Sequence, residues 1–275
     1  MKLSMMSYTM SRQPNFDLTE MFDLTAELKL DGIDLVTLHG STASELRKMA
    51  DDRAIPVVAH TFMADLNFPT EAERSKAVDD ARRGIEAAVV LGAPTVMIPT
   101  PAKAGVDRNE SRKNWIAGLQ EVIPFANEAG VNLTVENFPG AGSPFVIASD
   151  LLEAVQQVPG LKITYDNGNA FSGEEPIQSF KDVAEHVVHV HFKDWKIVEE
   201  GQGMKMLNGK TMASDLIGEA ALDTKGCLKA LEDANYDRCI NIEYEGNKYN
   251  AADAIRKATK YLRRINAELI AEATS

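Results

Sequence analysis

Short apolar runs alternate with longer amphipathic stretches along the whole chain, and eight such pairs can be counted. The strand candidates are Leu3–Tyr8, Ile33–Leu38, Ile55–His60, Thr95–Pro99, Asn132–Glu136, Lys162–Asp166, Val187–Phe192 and Cys239–Tyr244. Each is rich in β-branched or large apolar side chains, as strands buried on both faces should be. Between them, Thr42-x-x-Glu45, Thr70-x-x-Glu73 and Asp150-x-x-Glu153 place a capping side chain three residues before an acid, a helix-start spacing. Long helices over 71–91 and 110–129 are predicted to end at Gly92 and Gly130, each free to take a left-handed backbone. A last helix over 251–271 closes the ring.

Eight βα repeats without a Pro/Gly-rich linker predict an α/β fold, a (β/α)8 TIM barrel, as a single domain over residues 1–275. A doubly wound open sheet is the rival, but the GxGxxG phosphate turn expected after its first strand is absent. The segment 198–222, rich in Gly and Met, reads as a long irregular active-site loop following the seventh strand. Active sites of such barrels form on that face.

Charge and cysteine content narrow the function classes. With 29 Lys plus Arg against 41 Asp plus Glu, the net charge of −12 opposes a non-specific grip on nucleic acid. The opening residues lack a sustained apolar stretch, and no apolar run approaches the length of a membrane span. Cys227 and Cys239 form no close pair and read as reduced, buried thiols of a cytoplasmic protein.

Four strands end in a residue able to bind a hard or borderline metal: Glu136 in LTVENF, Asp166 in ITYDNGN, His191 in VHVHFKDW and Glu243 in INIEYEG. An isolated carboxylate in an apolar core is costly, so each needs a partner, and four on one barrel end need a common one. Side chains alternate faces along a strand. Thr134 therefore shares a face with Glu136, Thr164 with Asp166, His189 with His191 and Asn241 with Glu243. The opposite faces carry Leu133, Val135, Ile163, Tyr165, Val188, Val190, Ile240 and Ile242, which suit packing against outer helices. Three carboxylates and one imidazole suit Mn²⁺ or Mg²⁺, and would also accept Co²⁺ or Zn²⁺. The competing explanation is a buried salt-bridge network with Lys193 or Lys162.

With these motifs in view, the chain resembles the xylose-isomerase-like TIM barrel superfamily, and within it the sugar phosphate isomerase/epimerase group. The resemblance runs over nearly the whole chain and is carried by VENF, YDNGN, HVHFKDW, the GEAALD stretch at 218–223 and IEYEG. It implies Glu136, Asp166, His191 and Glu243 as ligands of one divalent metal, with Glu136 and Glu243 doubling as the catalytic acid/base pair. The implied activity is isomerisation or epimerisation of a small keto-sugar or related ketone by proton abstraction and an enediolate. The chain departs from the ketose 3-epimerases at Asn169, where they carry histidine, and at Ile197, where they carry arginine. A lyase of the same superfamily, like the inosose dehydratases or the metal-dependent C-glycoside deglycosidase subunits, is the alternative, because it begins with the same proton removal. A non-catalytic barrel subunit is a minor alternative. The three-zinc endonuclease IV branch is disfavoured by too few histidines and by the net charge.

Around the metal group, His60, Asn169, Lys193, Trp195 and Glu219 are the substrate-binding candidates. His60 ends the third strand and can bond a substrate hydroxyl or simply brace the rim. Lys193 suits an anionic or hydroxylated substrate, and Trp195 can stack on a sugar face or pack a loop. Asn169 and Glu219 reach the mouth if the loops fold as in relatives. His189, one layer below His191, reads as support for it or as core filling. The expected partner is a small carbohydrate-like molecule, with a homo-oligomer as the assembly and a hetero-oligomer as its alternative.

Overall fold

The computed structural model describes residues 1–273. Among them the barrel strands are β1 (Lys2–Met6), β2 (Gly32–Val36), β3 (Val57–Thr61), β4 (Thr95–Met97), β5 (Asn132–Glu136), β6 (Lys162–Asp166) and β7 (Val187–Phe192). A short sheet follows, made of β8 (Asp194–Ile197), β9 (Met204–Lys205) and β10 (Thr211–Asp215), and then comes the last barrel strand, β11 (Cys239–Ile242). The barrel closes in the order β1-β11-β7-β6-β5-β4-β3-β2, with every neighbouring pair parallel. This is a TIM barrel, and its outer ring includes α2 (Leu18–Glu27), α3 (Ala43–Asp51), α4 (Glu71–Leu91), α5 (Arg108–Ala129) and α6 (Ala148–Gln157), with α1 (Ser7–Ser11) leading it. It continues through α7 (Asn167–Phe171), α8 (Pro176–Val183), α9 (Thr224–Asp233) and α10 (Ala251–Ala273).

Local chemistry sets the helix ends. Thr42 and Thr70 both form full capping boxes, with Glu45 and Glu73 reaching back to the cap backbone. Gly92 and Gly130 end α4 and α5 at φ 71 and 69, where a side chain would be strained. Asp150 behaves differently from the expected N-cap. The helix α6 begins two residues earlier, and Asp150 lies in its first turn, accepting the N–H of Val146 and Ile147 while Arg108 and Arg112 pair with it. Asp150 thus serves as the third-position acid that reaches back to the cap backbone, and two guanidiniums pair with it there.

The alternation read from the strands holds in three dimensions. Leu133, Val135, Ile163, Tyr165, Val190, Ile240 and Ile242 join the core packed between barrel and helices. On the inner face Thr134 Oγ1 meets Thr164 Oγ1 at 2.8 Å, and Ser4 Oγ donates to Asn241 Oδ1 at 2.9 Å. The polar faces thus pair with one another inside the barrel.

The segment 198–222 is more ordered than its composition suggests. β10 pairs antiparallel with β8 and β9, and Trp195, Met206 and Met212 bury one another beneath this sheet. Ala141 N–H donates to the Lys205 carbonyl at 3.1 Å, tying the sheet to the loop after β5. The methionines supply a small second core, which an irregular loop would lack.

Candidate metal centre

The C-terminal ends of β5, β6 and β7, and the residue after β11, deliver Glu136, Asp166, His191 and Glu243 to one place. Each offers one ligand atom, and these atoms all lie within 4.8 Å of one another. All four side chains are buried. Register explains the convergence: Asp166 stands opposite His191, His191 opposite Asn241, and the Glu243 N–H donates to the Phe192 carbonyl at 2.9 Å.

His191 uses its two nitrogens differently. Nδ1 lies 2.7 Å from Glu136 Oε1 and 3.7 Å from Glu243 Oε2, while Nε2 lies 3.2 Å from Asp34 Oδ2. Nδ1 is therefore the nitrogen that faces Glu136 and Glu243, the two glutamates of the ligand group. The Asp166 Oδ1 atom accepts the Asn169 N–H at 2.6 Å, whereas Asp166 Oδ2 and Glu243 Oε2 are buried with no hydrogen-bond partner among the described residues. A buried carboxylate oxygen left in this state is costly, and a divalent cation is the partner that satisfies several at once. The donor set fits such an ion.

Lys193 enters the same cluster, as the competing salt-bridge explanation anticipated. Its Nζ lies 3.0 Å from Glu243 Oε1, 3.5 Å from Asp166 Oδ2 and 3.4 Å from Glu245 Oε2. Lys162, at the far end of β6, takes no part in this ion-pair set. Burial would lower the Lys193 ammonium, but Asp166, Glu243 and Glu245 outweigh it and hold its pKa well above the usual lysine range. Burial likewise would lower His191, and Glu136 and Asp34 reverse it. Asp166 is pushed well above the ordinary carboxylate range, first by burial and then by Glu243 and Glu136, with Lys193 opposing. Two cations do not balance this many carboxylates, so the cluster has room for more positive charge.

Asp34 is the inner-face acid that motif reading passed over. It is fully buried on β2, and its Oδ2 lies 3.0 Å from His189 Nε2, 3.2 Å from His191 Nε2 and 3.2 Å from Asn241 Nδ2. Burial alone would raise its carboxyl; the hydrogen bonds to His189 and His191 hold it well below the usual range. The signal was present, since Ile33 and Leu35 flank it with the same apolar parity seen on β5 to β7 and β11.

The remaining candidates divide. Asn169 is buried above Asp166, and both its side-chain polar atoms lack a partner among the described residues. Trp195 is buried against Met206 and Met212, and a Cβ on Gly168 would stand 3.0 Å from its Nε1, so its ring packs on α7. Asp194 accepts the N–H of Trp195, Gly218 and Leu222, fastening the turn after β10 to the barrel rim. His60 is buried with Nδ1 at 2.8 Å from the Leu35 carbonyl, and burial lowers its pKa. Glu219 is instead engaged at the surface by Lys248 Nζ at 2.6 Å and Tyr249 Oη at 3.0 Å, and is not gathered with the four ligand candidates.

A closed parallel barrel with an acid-rich buried cluster at the strand C-termini defines the class. The chain matches the model of the xylose isomerase-like TIM barrel family over residues 19–265, and it belongs to that family. Among named relatives, an inosose dehydratase of Lacticaseibacillus casei is 26% identical over 153 residues, 53% of this chain and 51% of that protein. The chain thus spans about half the length of that relative in the matched region. An inosose dehydratase of Clostridium perfringens (strain 13 / Type A) is 26% identical over 239 residues, 79% of this chain and 80% of the relative. Among solved structures, the IolI protein described with a binding zinc atom superposes with a TM-score of 0.80 at 18% identity, covering 98% of this chain and 99% of that one. That likeness is one of fold. Among the described residues, no helix is long and apolar enough to cross a membrane.

Proposed function

We propose that this chain is a divalent-metal-dependent enzyme that removes the proton beside the carbonyl of a small polyhydroxylated ketone. The observation that carries the reading is the buried convergence of Glu136, Asp166, His191 Nδ1 and Glu243, with two carboxylate oxygens lacking hydrogen-bond partners among the described residues. These four residues would hold the ion, and their oxygen-rich set favours Mn²⁺ or Mg²⁺ over Zn²⁺ or Co²⁺. When bound, such an ion polarises a carbonyl and makes the neighbouring C–H more acidic.

The protein's own groups do the rest. Glu136 and Glu243 come from strands separated by two others in the barrel, so they can face a bound ketone from opposite sides. One takes the proton at a carboxylate oxygen and the other returns it, which gives an isomer or epimer. Lys193 holds its ammonium beside Glu243 and can donate to a substrate oxygen, while Asn169 offers a free amide for a hydroxyl. Trp195, packed on α7, supports that wall. Two free, buried thiols support a reducing compartment such as the cytoplasm. One continuous main core across all eight βα units supports a single domain.

A lyase is the second reading. The inosose dehydratase relatives favour it, as does a buried ammonium next to the proposed base, placed to protonate a departing hydroxyl. One experiment separates the outcomes: chelator-treated protein is reloaded with Mn²⁺ and given a panel of ketoses and cyclic ketopolyols in D₂O. Deuterium wash-in with an isomeric product indicates isomerisation, and loss of water indicates dehydration. Absence of exchange on every substrate, with no difference between the wild type and Glu243→Gln, sinks the proton-transfer reading.

A further inference from the structure

The inner barrel holds a second polar group below the proposed metal ligands: Asp34, His189, Asn241 and Ser4, from β2, β7, β11 and β1. Its centre is a single oxygen, Asp34 Oδ2, which lies 3.0 Å from His189 Nε2, 3.2 Å from Asn241 Nδ2 and 3.2 Å from His191 Nε2. The Asp34 carboxylate only accepts, so it takes the Nδ2 end of the Asn241 amide, and Ser4 Oγ then donates to Oδ1 at 2.9 Å. The two imidazoles stand edge to face, with ring centroids 4.9 Å apart and planes at 87°. Asp34, His191 and Asn241 are all fully buried, so no water competes for these contacts.

A histidine can present either nitrogen to a metal, and the hydrogen bond made by the other nitrogen decides which. Here Nε2 is committed to Asp34, and Nδ1 looks at Glu136 and Glu243. We propose that Asp34 is the positioning residue of the metal centre: it accepts the Nε2–H of His191, and so aims the Nδ1 lone pair at the ion. The inference rests on the metal-site reading above. It adds a residue 157 positions from His191 in sequence that stands outside the four-ligand group and meets it through His191. Asn241 and Ser4 hold the Asp34 oxygen in place, and His189 gives it a second imidazole donor. With an ion bound, Nδ1 would give up to it the contact now made with Glu136 Oε1 at 2.7 Å, while Nε2 keeps its hydrogen bond to Asp34. Carboxylates placed behind a ligating histidine in this way orient its ring and raise its basicity, and their loss weakens metal affinity by about 10–100-fold.

The test uses the full chain and Zn²⁺, a diamagnetic probe. In the Zn²⁺-loaded wild type, ¹⁵N spectra of His191, assigned by comparison with His191→Gln, are expected to show a protonated Nε2 and a metal-bound Nδ1. Coordination through Nε2 overturns the proposal. Titration of the metal-free protein with Zn²⁺ is expected to give about 10–100-fold weaker binding for Asp34→Asn than for the wild type. Asn241→Ala leaves the carboxylate in place but frees it to move, and is expected to fall between the two. A folded Asp34→Asn that binds within about twofold of the wild type also overturns it. If Asp34→Asn does not fold, the wild-type spectrum and the Asn241→Ala titration decide alone. A wild type that takes up no Zn²⁺ at all removes the metal-site reading itself, a different result from tight binding that ignores Asp34.

Discussion

Lys193 gives the most demanding test of the site's electrostatics. Its ammonium is buried and stands among Asp166, Glu243 and Glu245 at 3.0 to 3.5 Å. Lys193→Met removes that charge while keeping most of the side-chain volume. Without it, the Asp166 carboxyl loses the charge that opposes burial and its acidic neighbours, and binds its proton more tightly. An ordinary carboxyl titrates near pH 4, so holding one protonated at about pH 7.5 costs at most about 4–5 kcal/mol. That agrees with the loss of about 3–5 kcal/mol seen when one partner of a buried ion pair is removed. Unfolding entropy of about 2.1 cal/mol/K per residue converts this into a fall in Tm of about 5–9 °C for a chain of this length.

The sign with pH follows from the direction of the shift. The Asp166 carboxyl is already raised by burial and by its acidic neighbours, and removing Lys193 takes away the charge that opposes this. A group with a raised folded-state pKa contributes stability that is fully present below its unfolded value and is lost as pH rises toward the folded one. The deficit of Lys193→Met should therefore be small near pH 5 and widen by up to about 1.4 kcal/mol per pH unit above that. Calorimetry on chelator-treated wild type and variant at several pH values measures it. Saturating Mn²⁺ should narrow the gap, because the ion supplies the missing charge. Equal melting temperatures near neutral pH without metal, or a gap that stays constant from pH 5 to pH 8, would refute the reasoning.

Two further outcomes test the scaffold. Cys227 and Cys239 are free, and burial pushes their thiols up to about 12 and about 11. The native protein should leave Ellman's reagent unreacted at pH 8 and release two thiols once denatured; a fast-reacting native thiol contradicts the packing described. Because these pKa values are raised, the stability the thiols contribute is complete below the ordinary thiol range and falls as pH climbs toward 11. Asp150→Asn weakens the grip of Arg108 and Arg112 on the loop after β5, and should cost about 2–4 kcal/mol by urea unfolding. An unchanged midpoint would mean that the loop is held by other contacts.

Much of this architecture is legible in the sequence. The bounds of β5, β6 and β7 coincide with their apolar runs, and Thr42, Thr70, Gly92 and Gly130 act as their positions suggested. These are local matters: a strand alternates faces because of its own backbone, and a cap is satisfied within one turn. The inward facing of Glu136, Asp166 and His191 follows from the same periodicity. Asp150 shows where local reasoning stops, since Arg108 and Arg112 reach it from about forty positions away.

What the chain by itself determined, then, is eight alternating units and a set of strand-end acids with one imidazole, all facing inward. Only the closed barrel decided who meets whom. Glu219, suggestive in its motif, turns out to be held by Lys248 and Tyr249, and Lys193 turns inward among the acids rather than outward to solvent. Asp34 joins His189, His191 and Asn241 because closure of the sheet brings β2, β7 and β11 around one axis, at sequence separations of 155, 157 and 207. Periodicity is a property of each strand, whereas these contacts depend on register between strands that no local pattern encodes.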